Sequence, residues 1–151
     1  MLVHTLRVLG SYAFGTVDAQ MTAAPVILDW MREIADRLGL RDWAIKLADE
    51  PTVDDTAGEL ICVYGRKLAT LRLAYNFNDL SPSERRYIVV HELLHIHLEP
   101  LGQVLLNLTA HVGQSLYGLS RAHFTDATEY AVDALATVIA PSLPLPPAEG
   151  E

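Results

Sequence analysis

Three residues of this chain stand at a spacing that could hydrolyse a peptide bond: His91, Glu92 and His95, within His91-Glu92-Leu93-Leu94-His95. On a helix, residues four apart lie on one face about a turn from each other, so both imidazoles can reach one ion. Neutral imidazole binds Zn²⁺ at about 2.0–2.1 Å, and a catalytic zinc keeps three protein ligands and one open position for water. Zinc lowers the pKa of that water to about 7. Glu92, directly after the first histidine, is placed to take the water's proton and pass it to the leaving amine.

A third ligand must come from the other histidines and carboxylates. Glu99 follows His95 by four, but three ligands stacked along one straight helix cannot surround an ion, and Pro100 suggests that the helix is ending. Glu129 is the better candidate. It belongs to a separate helical stretch, and Asp133 shares its face at i+4, so one carboxylate can bind metal while the other accepts a ring N–H of a ligating histidine. Two like charges at that spacing disfavour a helix by about 0.2–0.5 kcal/mol unless something offsets them. Their neighbours Ala131, Val132, Ala134 and Leu135 read as buried.

These stretches must be positioned by a fold. Ser81-Pro82-Ser83-Glu84 carries a capping serine, a proline at the first helical position and a glutamate three residues after the cap. From there Tyr87, Ile88, Val89, Val90, Leu93, Leu94, Ile96 and Leu98 make a helix apolar nearly all round, so the motif belongs to a central, buried helix. Pro100 and Gly102 are expected to stop it, with a second helix over Val104 to Leu119 and a third from Ser120 or Thr125 to Ala140. His111, alone on the second of these, reads as structural.

Upstream, Thr22 can cap a helix with Pro25 in its first turn, Val26, Ile27, Trp30, Ile34 and Leu38 on one face, and Gly39 at its end. Trp43 to Ala48 alternates as a strand. Glu59 to Tyr64 and Leu68 to Tyr75 read as a hairpin around Gly65-Arg66-Lys67, after an acidic loop over residues 50–55. The organisation is an N-terminal extension over residues 1–21, one domain over 22–141 and a flexible proline-rich tail over 142–151.

Composition narrows the setting. A chain of 151 residues, half of them hydrophobic, supports one core. Its net charge of −8 provides no basic footprint for nucleic acid or an anionic membrane surface. The single cysteine, Cys62, forms no internal disulfide and fits a cytoplasmic protein. Leu6 to Phe14 loosely resembles a short signal peptide, so secretion stays as the alternative.

The motif followed by Glu129-x-x-x-Asp133 resembles the gluzincins, zinc metallopeptidases with glutamate as third ligand. The stretch from Glu129 to Pro141 resembles the E-x-x-A-[ND]-x-F-A … P segment of ImmA/IrrE-like peptidases, and the small size is similar to that of the minigluzincins. The resemblance spans Trp43 to Pro141. It implies an α+β zincin-like fold, with a small twisted, mainly antiparallel sheet on the active-site helix and further helices around it, and an extended substrate lined up along a sheet edge, for which Leu68 to Tyr75 is the expected strand. It also implies one Zn²⁺ held by His91, His95 and Glu129, Glu92 as base and acid, and Asp133 behind a ligand. Larger gluzincins stabilise the oxyanion with a downstream histidine or tyrosine, and this chain has neither after Tyr130; His123, Tyr130 or Arg121 are what it offers. The expected activity is endopeptidase action on a protein or peptide. The alternative is a non-catalytic zinc domain that binds a regulator, its metal closed by a fourth ligand such as His97, His123 or the tail.

Overall fold

The structure, a computed structural model, describes residues 3–7, 18–53, 56–112 and 114–148. Most of the segment resembling a signal peptide lies outside that set, as do Asp54 and Asp55 of the acidic loop and the last three residues of the tail. The elements run β1 (Val3–Arg7), α1 (Asp18–Arg37), β2 (Ala44–Leu47), β3 (Thr56–Val63), β4 (Leu68–Leu73), α2 (Pro82–Val112) and α3 (Gln114–Ile139). Among the described residues this is an α+β arrangement of three long helices and one four-stranded sheet of order β1-β3-β4-β2.

The sheet is mixed. β3 pairs antiparallel with both β1 and β4, while β2 lies parallel to β4. β4 is therefore an interior strand and offers no edge; the edges are β1 and β2. The expectation of an edge at Leu68–Tyr75 fails because β2 returns to the open side of β4, pairing Ala44 with Leu68 through Leu47 with Leu71. Alternation along β3 and β4 buries Leu60, Cys62, Ala69, Leu71 and Leu73 on the helix-covered face. In the turn, Lys67 rather than Gly65 adopts the left-handed conformation, at φ 46°.

α1 begins at Asp18, one turn before the expected cap at Thr22, which leaves Pro25 inside the helix. It ends as expected at Gly39, whose φ of +80° lets Leu40 N–H reach the Ala35 carbonyl at 2.8 Å and Gly39 N–H reach Asp36 at 3.1 Å. The strand β1 lies in the N-terminal extension and is part of the sheet.

α2 opens with the expected reciprocal cap: Glu84 N–H donates to Ser81 Oγ at 3.3 Å, and Ser81 N–H donates to Glu84 Oε2 at 2.8 Å. It does not stop at Pro100. The helix continues to Val112, and α3 then runs unbroken through Ser120 and Thr125. A proline inside a helix forfeits one backbone bond and costs about 3 kcal/mol. Here α2 and α3 lie against each other over the most extensive pairing of elements in the molecule, and that packing overrides the local signal. The segment after α3 is also held: Trp30 Nε1–H donates to Pro144 O at 3.1 Å and Arg86 Nη1 to Leu143 O at 2.9 Å. The start of the expected flexible tail is thus tied to α1 and α2.

Candidate metal centre

Residues 88 to 96 of α2 are buried without interruption, and His91, Glu92 and His95 have no solvent exposure. Such a stretch is explained only by contact on every side: the sheet on one face and α3 on another. On α3 the buried positions Thr128, Val132 and Ala136 recur every four residues and, with Ala140 in the turn just after the helix, form the seam against the core. Glu129 and Asp133 stand one residue beyond Thr128 and Val132, at the border of that seam. Their neighbours Ala134 and Leu135 are exposed, contrary to the sequence reading, because they fall on the far side of α3.

The seam brings the three predicted ligands together. His91 Nε2 and His95 Nε2 are 3.1 Å apart, His91 Nε2 lies 3.4 Å from Glu129 Oε2, and His95 Nε2 lies 3.6 Å from Glu129 Oε1. Ligand atoms bonded to a tetrahedral zinc at about 2.0–2.2 Å stand about 3.3–3.6 Å from one another. Both separations to Glu129 fall in that range and the one between the imidazoles lies slightly below it, so with a donor set of two imidazoles and one carboxylate this is, among the described residues, the group that could hold a divalent ion. Several divalent ions suit such a set, and geometry alone does not choose among them.

Behind the ligands, His91 Nδ1 lies 3.0 Å from Asp133 Oδ1, somewhat off the straight hydrogen-bond line. A carboxylate in that place favours the tautomer with the proton on Nδ1, which leaves the Nε2 lone pair for a metal. Tyr87 donates its phenol O–H to the same Asp133 oxygen at 3.1 Å. Burial, and then the charge of Asp133, raises the Tyr87 pKa, so the phenol stays a donor.

Glu92 is seated against β3. A Cβ on Gly58 would stand 2.9 Å from both Cγ and Oε1 of Glu92 and 3.1 Å from Ile88 Cγ2, so only glycine lets the strand approach this closely. Cys62, also on β3, has its thiol pushed up to about 12, first by burial and then by the charges of Glu99 and Glu92. It is a buried apolar group there, not a thiolate ligand.

The remaining candidates fall elsewhere. His97 donates Nε2–H to the Leu38 carbonyl at 3.0 Å, at the end of α1, and is not turned toward the metal group. Glu99 is buried and accepts a hydrogen bond from Gln103 at 2.7 Å. Arg121, His123 and Tyr130 are exposed on α3, Tyr130 at 80%. Sequence alone does not single out Tyr87 or Gly58 as parts of the site. A glycine inside an alternating strand signals close backbone approach and could have pointed to Gly58; nothing local marks Tyr87. Comparisons with protein-family models, with curated proteins and with solved structures return no match.

Proposed function

We propose that the protein is a zinc-dependent endopeptidase of the gluzincin kind, with a zincin-like arrangement of sheet and active-site helix. The observation that carries this reading is the joint placement of three ligand atoms at metal-binding distances and a fully buried glutamate on the same helix turn.

His91, His95 and Glu129 hold the ion, which when bound supplies Lewis acidity toward the scissile carbonyl and toward a water. Glu92 accepts the proton of the attacking water as the new C–O bond forms. It then delivers that proton to the amine nitrogen as the C–N bond breaks. Asp133, steadied by Tyr87, holds His91 in the ligating tautomer. Gly58 leaves room for Glu92. The engagement of His97 with Leu38 speaks against a metal closed by that residue. The substrate is a protein or peptide bound in extended form.

The test is Glu92→Gln, assayed for both zinc content and cleavage of fluorescein-labelled casein. Loss of cleavage with zinc retained supports the reading. Cleavage at the wild-type rate overturns it.

A further inference from the structure

The two halves of the sheet have different neighbours: α2 packs under β3 and β1, whereas α1 packs under β2. The β1 edge is thus the one beside the metal centre. Gly58 of β3 presses on Glu92, and Leu6 of β1 is its Cα partner across the ladder. β1 therefore runs antiparallel past Glu92 one strand spacing from Gly58, about 4.7–4.9 Å away. Immediately beyond this point, between Leu6 and Arg7, the register shifts. β1 is short and is bonded to the sheet along one side only, whereas β3 and β4 are paired on both. Its removal therefore costs fewer hydrogen bonds than removal of β3 or β4, and of the two edge strands it is the one beside Glu92.

We infer that β1 is a self-supplied strand occupying the edge of β3 at which an extended peptide would reach Glu92, so that the site opens when β1 leaves. This rests on the peptidase reading. An extended peptide gains main-chain hydrogen bonds from an open sheet edge, and β1 already takes those of β3. A tethered segment competes at an effective concentration of about millimolar order. Substrates must therefore outcompete β1, or a partner must draw it away.

The experiment uses the full chain carrying Val3→Cys and Ile61→Cys, which are Cα partners at the end of the ladder away from Gly58. Directly opposed residues of antiparallel strands lie about 4.5–5.5 Å apart, within the span of a disulfide. The native Cys62 is buried and its raised pKa keeps it out of exchange. Cleavage of fluorescein-labelled casein is compared in the bridged form and in the same protein reduced with a phosphine. In parallel, hydrogen–deuterium exchange of residues 3–7 and of β4 is measured on the wild-type chain.

The expected result is at least a tenfold loss of cleavage on bridging, restored by reduction, with exchange in β1 at least tenfold faster than in β4. Equal cleavage by the two forms overturns the inference while leaving the peptidase reading intact, and so does exchange in β1 as slow as in β4. Casein left uncut by both forms and by the wild type sinks the peptidase reading, and the inference with it.

Discussion

His91 and Asp133 meet across the α2–α3 seam, with Nδ1 and Oδ1 3.0 Å apart, and Asp133 is anchored in turn by the Tyr87 phenol. A carboxylate in that place favours the tautomer that leaves Nε2 free for a metal. Groups in this position are typically worth about 10–100-fold in metal affinity or activity. Asp133→Ala is expected to weaken zinc binding by that factor while the fold persists, because Asp133 is half exposed. Competition against a chromophoric chelator, with circular dichroism as the check on folding, measures it.

Metal binding is also a stability term. An ion that binds only the folded chain, present at about a thousand times its Kd, adds about 4.1 kcal/mol. At about 2–4 °C per kcal/mol for a chain of this size, chelation should lower Tm by about 8–16 °C. Glu129→Ala should abolish the difference between zinc-loaded and chelated samples in scanning calorimetry.

Gly58→Ala tests the seat of Glu92. The added methyl meets Glu92 and Ile88 at 2.9–3.1 Å, and overpacking of this kind costs about 1–3 kcal/mol. Denaturant unfolding should show that loss. Zinc affinity should hold near the wild-type value, since Gly58 touches no ligand, while peptide cleavage falls.

The α2 cap gives a pH dependence with a defined sign. Ser81 hydroxyl and backbone N–H hold the Glu84 carboxyl below its ordinary value of 4.5. A depressed carboxylate stabilises the folded state above its unfolded-state pKa, and that contribution is lost as acid carries the pH down through the folded value. Ser81→Ala should cost about 1 kcal/mol at neutral pH, with the deficit shrinking below about pH 4.5. Urea unfolding of both proteins at several pH values checks this.

The parts of the site that were legible in sequence are those governed by helical period. His91 and His95, Glu129 and Asp133, and the Ser81–Glu84 cap each depend on a separation of three or four residues, which a helix converts directly into proximity. The parts that were not legible depend on contacts between elements. Tyr87 becomes part of the site only because α3 brings Asp133 beside it. Pro100 reads locally as a stop, yet α2 passes through it because α3 packs along the same helix. Strand order is of the same kind: nothing in Leu68–Leu73 reveals that β2 will cover its outer side. Arg121, His123 and Tyr130, offered for the oxyanion by family resemblance and not by helical period, are exposed on α3.

The most direct test is a crystal structure of the zinc-loaded protein with anomalous difference data collected at the zinc edge. The expected result is one ion held by Nε2 of His91, Nε2 of His95 and a Glu129 oxygen, with a water in the fourth position beside Glu92. A fourth protein ligand in place of that water, or zinc bound elsewhere, would contradict a catalytic centre.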